Sequence, residues 1–333
     1  SFEADSDIGW ASPSCTNFSL AGSKKPNKLD LISAQVVAED IRKGQDKVWV
    51  IENAPQYLNT TFYKDIILPA LKDSKYDVKE FVIEAADYGA TSSRKRLFVL
   101  ASKIGKVPPL PPQTGKTGDW YEKIKDLIDS APDTTIAPYE MRNIQNGINS
   151  GRLSADLPII TMGTNKGSNK NSGSPAPTLT SNTAKDRVTG VATGQSVAIA
   201  RILMPDGRQK EVTPFMMTRL MDIPDSFAIE KMDINSLPRG LARVMLGNGV
   251  QGTVTENIIV PFFKSQGLLK PYITLDNINE VNEAEHGMPT NFTASPNDLT
   301  LSARLPKANN IPSISMKDLA GQRVFFLAAD RMK

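Results

Sequence analysis

Cysteine and histidine are almost absent from this sequence. Cys15 and His286 are the only residues of their kinds in 333. One thiol excludes an internal disulfide and a cysteine-built metal cage, and one imidazole excludes a histidine cluster. No apolar run reaches the roughly 18 residues of a membrane-spanning helix, and no charged-then-apolar leader opens the chain. These absences predict an intracellular protein in a reducing setting, with no membrane partner. Charge of one sign is also scarce: the net +3 is too small to name a nucleic-acid partner by itself. The first residue is Ser1 instead of Met, which predicts a fragment, a processed product or a subunit.

What is present is ordinary for a globular chain, with 40% hydrophobic and 23% charged residues. The length suits two domains, or one domain with an insertion. A short apolar run, Ile8-Gly-Trp-Ala11, leads into the Pro13-Ser-Cys15 turn, which reads as a strand delivering a thiol to a loop. Leu29, Ile32, Val36 and Val37 fall at helical spacing, predicting a helix over 27–43 with Gly44 as its cap. The continuous apolar run 47–54 predicts a buried strand ending in Glu52-Asn53. A second helix is predicted over 60–73, kinked by Pro69. Strands follow at 77–86 and 96–102, joined by 87–95. Alternating strands and helices predict an open α/β sheet.

At Lys106 the character changes. The proline-rich stretch 107–113 reads as a boundary, and 114–200 shows little periodicity. From 151 to 200, Arg152, Lys166, Lys170, Lys185 and Arg187 face only Asp156 and Asp186, an excess equal to the +3 of the whole chain. Order returns near Arg201, with helices predicted over 213–221 and 237–246 and a third beginning at 253. A closing strand is predicted over 323–328.

A cysteine on its own is more often a small buried apolar residue than a nucleophile, and Glu-Asn after a strand is commonly a turn or cap. The joint order of motifs says more. Ser12-Pro-Ser-Cys-Thr-Asn-Phe-Ser19, Ile51-Glu-Asn-Ala-Pro55, Tyr88-Gly-Ala-Thr-Ser-Ser-Arg-Lys-Arg-Leu-Phe98, the segment from Val212 to Phe227 containing Pro224-Asp-Ser-Phe227, and Leu246-Gly-Asn-Gly-Val250 stand in this order. Together they resemble the C5-cytosine DNA methyltransferase family, over roughly residues 5–265.

The resemblance implies an S-adenosylmethionine-dependent, Rossmann-like methyltransferase sheet carrying an inserted, irregular target-recognition domain. It divides the chain into a catalytic half (1–106), the recognition domain (107–200), a return to the methyltransferase domain (201–266) and an extension of unassigned role (267–333). It makes Cys15 the nucleophile toward C6 of a flipped cytosine and Glu52 the group that holds N3 and the exocyclic amine. Asn53 braces the nucleophile loop, Arg96 sits at the base's O2, and Arg94 buttresses the loop and neutralises charge. Ser14, Asn248 and Gly249 border the cofactor, and Lys166, Lys170, Lys185 and Arg187 contact double-stranded DNA. The alternatives are a methyltransferase-like scaffold or DNA-binding subunit, and a tRNA-acting relative.

The sequence departs from the family's pattern at named places. Ser14 replaces the proline before the nucleophile, Ser92 replaces a glutamine, and Phe215-Met216 replaces an Arg-Glu pair. The Gly-rich cofactor loop is missing, because only fourteen residues precede Cys15. A second chain or a preceding segment is therefore expected to complete the cofactor site.

Overall fold

A computed structural model describes residues 6–14, 28–44, 46–162, 169–179, 183–185, 192–197, 200–230, 232–237 and 239–269, with backbone alone at 183–185, 192–197, 230, 239, 240 and 244. The chain divides into two units, Ser1–Gln266 and Gly267–Lys333. Nearly all that follows concerns the first. The expected strand at 323–328 lies outside the described residues.

The larger sheet begins with β1 (Ile8–Ala11), followed by α1 (Lys28–Lys43) and β2 (Val48–Asn53). β3 (Asp77–Glu84) and β4 (Lys95–Ser102) complete it in the order β1-β2-β4-β3. β1 and β2 run parallel, as strands joined by a crossover helix can. β4 is antiparallel to both β2 and β3. Only residues 85–94 separate β3 from β4, too few for a crossover, so this pair closes as a hairpin. All six residues of β2 are buried, as the unbroken apolar run predicts. Ala34, Ala38 and Ile41 of α1 pack with Ile51, Tyr57, Tyr63, Leu97 and Val99 in one core.

The second predicted helix is less regular than its pattern suggests. A 3-10 turn at Pro55–Asn59 precedes a π-helical segment, Phe62–Ile67, which runs into α2 (Leu68–Asp73). Pro69 has no N–H, and its ring would meet the carbonyl four residues back in an α-helix. The turn widens instead: Leu68 N donates to Tyr63 O, five residues back. The same solution recurs before Pro261. There α8 (Gly252–Val254) leads through a π segment, Thr255–Ile259, into α9 (Val260–Ser265), and Val260 N donates to Thr255 O. Proline changes the pitch of both helices, in the first of them where a kink at Pro69 was expected.

Residues 114–200 are more ordered than their weak periodicity predicts. They hold α3 (Trp120–Ile128) and α4 (Pro138–Asn149). They also supply β5 (Ile159–Thr161) and β6 (Asn169–Asn171), and a separate hairpin of β7 (Thr183–Lys185) and β8 (Ala192–Val197). β9 (Arg201–Leu203) and β10 (Gln209–Glu211) join β5 and β6 in an antiparallel sheet of order β10-β9-β5-β6. This small sheet thus spans the composition change near Arg201. Its strands are only three residues long, too short for period-2 alternation to show in sequence.

Side-chain alternation gives this sheet two faces. Ile159 packs with Ile136, Ile144 and Leu153 on the α4 side. Ile160 and Ile202 pack on the other side with Trp120, Ile124 and Ile128 of α3. Burying these three α3 side chains contributes on the order of 1.5–3 kcal/mol each. The same core takes in Met216, Met217 and Leu220 of α5 (Pro214–Leu220), Ala228 of α6 (Asp225–Glu230), and Ala242 and Leu246 of α7 (Arg239–Asn248). α5 is capped by Thr213, whose side chain accepts from Met216 N. Among the described residues, no helix is long and apolar enough to cross a membrane.

β1 carries a tight contact that can be tested. An added Cβ at Gly9 would lie 2.4 Å from two atoms of the Trp49 ring on the neighbouring strand. Gly9→Ala should therefore overpack this layer and cost about 1–3 kcal/mol in urea unfolding followed by tryptophan fluorescence. A change within a few tenths of a kcal/mol would contradict the packing.

Candidate active site

Strand β2 ends in the residues that organise the site. Glu52 and Asn53 are its last two positions, with relative exposures of 5% and 1%. Ser12 Oγ donates to Glu52 Oε2 at 3.2 Å, and Arg96 Nε lies 3.1 Å from Glu52 Oε1. The Glu52 carboxyl is thus held from the β1 side and from β4. Burial pushes its pKa up, and this desolvation outweighs the opposing pull of Arg96, Arg94 and the Ser12 hydrogen bond. The result is a carboxyl that keeps its proton to higher pH than an exposed glutamate.

Asn53 fixes the loop after β1. Its Nδ2 donates to Pro13 O at 2.9 Å, while its Oδ1 accepts from Ala54 N at 2.8 Å. The next residue, Ser14, is tied to α1. Ser14 N donates to Ser33 Oγ at 3.1 Å and Ser14 Oγ donates to Asp30 Oδ1 at 2.7 Å. Asp30 is fully buried in the first turn of α1. The chain entering position 15 is therefore anchored by β2 on one side and α1 on the other. Cys15 itself lies outside the described residues.

The two arginines, alike in the sequence, differ in surroundings. Arg96 keeps a quarter of its side chain exposed beside Glu52. Arg94 is buried, with its guanidinium spent on main-chain carbonyls. Nη2 donates to Gly247 O at 2.7 Å and Gly249 O at 2.8 Å, and Nη1 donates to Leu179 O at 3.1 Å. Arg94, just before β4, thus joins that strand to the C-terminal end of α7 and to segment 175–179. That segment lies along 91–93: Ser93 N donates to Ala176 O and Ala176 N to Thr91 O, both at 2.8 Å.

Of the residues expected to border a cofactor, Asn248 is exposed and Gly249 is half-buried, with Gly249 N donating to Leu246 O. Of the four expected DNA contacts, Lys170 is exposed on β6. Lys185 is placed by its backbone in β7. Lys166 and Arg187 lie outside the described residues. Ser12 and Asp30 were missed in the sequence. Ser12 had no signal beyond its nearness to Cys15. An acid in the first turn of a helix reads as a favourable dipole partner until its burial is seen.

The arrangement can hold an amide-like or protonated ring edge against Glu52, with a cation alongside and little water. Its place in a family comes from comparison. A family model described as C-5 cytosine-specific DNA methylase matches residues 1–264. The chain is 29% identical over 155 residues to the Type II methyltransferase M.AquIA of Picosynechococcus sp., covering 39% of this chain and 62% of that protein. It is 31% identical over 143 residues to the Type II methyltransferase M.XorII of Xanthomonas oryzae pv. oryzae, covering 40% of this chain and 32% of that protein. The chain thus spans less than two thirds of these curated relatives. Among solved structures, the Entamoeba histolytica methyltransferase EhMeth superposes with a TM-score of 0.50 at 16% identity, covering 78% of this chain and 77% of that one. That likeness shows the fold.

The raised pKa of Glu52 has a consequence for stability. Between the ordinary carboxyl value of 4.5 and the raised folded value, the native state binds more protons than the unfolded state. Stability therefore falls as pH rises through that window and levels off above it. Glu52→Gln removes the titration. Urea midpoints measured from pH 4 to 9 should show the parent losing stability relative to Glu52→Gln as pH rises above about 4.5. A pH-independent difference would contradict the dry pocket.

Proposed function

This chain belongs to the C-5 cytosine-specific DNA methylase family, and from that membership we propose that it is the base-handling and DNA-reading portion of a DNA (cytosine-5)-methyltransferase. The observation that carries the proposal is the buried Glu52 carboxyl, held by Ser12 and Arg96 beside a loop that Asn53 braces.

C5 of cytosine is a poor nucleophile. A Cys15 thiolate adding to C6 forms the S–C6 bond and drives the ring's electron pair toward C5 and N3. Glu52, whose proton is held to higher pH by burial, gives that proton to N3 and so offsets the charge that develops there. Arg96, beside Glu52 and partly open, is placed to meet the base's O2. Asn53 and Asp30 hold the chain on either side of Ser14 and so aim the residue that follows. Arg94, buried with both Nη atoms on main-chain carbonyls, acts by fixing the Gly247–Gly249 turn. The last steps are loss of the C5 proton to a solvent base and departure of the thiolate. The target base cannot be reached inside a duplex and is flipped out at a cost of a few kcal/mol.

S-adenosylmethionine, the cofactor of the family, supplies an electrophilic methyl when bound. In this chain Ser14, Asn248 and Gly249 would border it, forming one side of a site. The sequence contains no Gly-rich loop for the other side, so we assign that side to polypeptide beyond residues 1–333. Two features support the assignment. β1 has β2 as its one sheet neighbour among the described residues. Leu29, Ile32 and Val36 also form an exposed apolar stripe on α1. The α3–β10 region, with exposed Lys170 and with Lys166, Lys185 and Arg187, is assigned to the DNA, its cations on phosphates.

A test of the chemistry avoids the cofactor altogether. Addition at C6 with protonation at N3 makes C5 exchangeable, so the full chain should release tritium from [5-³H]cytosine in unmethylated duplex DNA of mixed sequence. Cys15→Ala should abolish release, and Glu52→Gln should slow it by about 10²–10⁴-fold. No release by the parent, or release by Cys15→Ala, would sink the assignment. For the DNA contacts, Lys170→Ala should weaken binding about equally across sequences and reduce the log–log salt slope by about 1. An unchanged slope would remove Lys170 from the interface.

A further inference from the structure

Asp222 stands just past the end of α5, with its backbone in the left-handed region at φ 53°, which most side chains avoid. Its carboxylate, only 10% exposed, gathers donors from separate segments. Oδ1 accepts from Thr91 Oγ1 at 2.6 Å. Oδ2 accepts from Thr91 N at 3.2 Å, Gln251 Nε2 at 2.7 Å and Thr253 Oγ1 at 2.7 Å. Lys123 Nζ stands at the rim, 3.8 Å from Oδ1. The backbone approach is equally close. Gly252 N donates to Met221 O at 2.8 Å, and a Cβ at Gly252 would fall 2.1 Å from Asp222 O.

These bonds close a circuit. Gln251, fully buried, also accepts from Ser92 Oγ at 3.1 Å through its Oε1. Asp222 and Gln251 together therefore hold Thr91 and Ser92 at one end of the run 91–94. At the other end Arg94 reaches Gly247 O and Gly249 O. Segments 91–94 and 247–251 are thus clamped at both ends, one clamp being Asp222 and the other Arg94. We propose that Asp222 is a positioning residue for the reaction, a clamp that sets the Arg94 guanidinium between Glu52 and the Gly247–Gly249 turn. The proposal rests on the reading above, in which Glu52 and that turn serve the base and the cofactor.

The left-handed backbone supplies a discriminating variant. Glycine accepts φ 53° more readily than aspartate. If Asp222 mattered only as a turn residue, Asp222→Gly would match or exceed the parent. As a clamp, both Asp222→Gly and Asp222→Asn should fail, since an asparagine amide meets donors with a donor. Hydrogen exchange of the full-length chain, read by mass spectrometry, should show at least tenfold faster exchange in peptides covering 88–97 and 246–254. Peptides from α1 and β2 should exchange as in the parent. A second readout reaches the site itself: the Glu52 side-chain carboxyl, ¹³C-labelled and assigned with Glu52→Gln, should titrate at higher pH in both variants, because Arg94 helps hold its pKa down. Parent-like exchange in either variant overturns the clamp. Faster exchange with an unmoved Glu52 titration overturns its action through Arg94. Neither measurement needs DNA or methyl transfer. An intact clamp without tritium release from cytosine would instead count against the methyltransferase reading alone.

Discussion

The cost of removing the Glu52 carboxylate from water shapes the rest of the larger sheet's surroundings. The residue sits at the end of a strand buried along its whole length, where an unpaired carboxylate would be expensive. Two guanidinium groups nearby would normally hold such a group ionised. Here burial wins over both. Against burial stand Arg96, close and partly hydrated, Arg94, close but bonded to main-chain carbonyls, and Ser12, donating from just past β1. Had Arg94 turned its guanidinium onto Glu52 in place of the carbonyls it holds, the carboxyl would be pulled toward the ionised form. The site depends on one arginine being held by main-chain carbonyls and the other being paired with Glu52 at a partly open position.

Spending Arg94 on main-chain carbonyls also ties the two sheets together. Leu179 O belongs to a segment that runs along 91–93, and Gly247 O belongs to the end of α7. α7 shares a core with α3, α5 and the small sheet through Ala242 and Leu246. Arg243 of the same helix, buried, donates to Met162 O at the end of β5. Its pKa is lowered to about 10 by burial, against the pull of Glu140. One helix therefore touches the small sheet at Arg243 and Arg94 one turn later. A displacement of the small sheet cannot leave the Gly247–Gly249 turn where it was without breaking one of these buried bonds.

The legible parts of the sequence were those governed by long apolar runs or by helical periodicity. β2, α1, β3, β4 and α5 fall within a few residues of where the pattern puts them. The two π segments were illegible because nothing in periodicity distinguishes a five-residue step from a kink; only Leu68 N meeting Tyr63 O does. The small sheet was illegible because three-residue strands are too short to alternate. At the site, Glu52, Asn53, Arg94 and Arg96 were named from motif order. Their roles followed only from that resemblance; the partners of each, such as the main-chain carbonyls that Arg94 holds, were not legible, because burial and partners are tertiary facts. Asp30 shows the limit clearly: in sequence it is a helix-start acid, and in the fold it is a buried anchor for Ser14.

Ser14 is where the sequence departs from the family's pattern beside its nucleophile, and the fold shows what that departure does. A proline there would have no N–H and no hydroxyl. Serine uses both, giving its N–H to Ser33 and its hydroxyl to Asp30. A loop that loses the stiffness of a second proline after Pro13 is thus fastened by two side chains of α1. Asn53 holds the preceding carbonyl, so consecutive residues are pinned from opposite sides, by β2 at Pro13 and by α1 at Ser14. Rigidity that a ring would supply locally is supplied here by tertiary hydrogen bonds. The aim of position 15 therefore depends on α1 staying docked, through Ala34, Ala38 and Ile41, against the same core that buries the strand carrying Glu52.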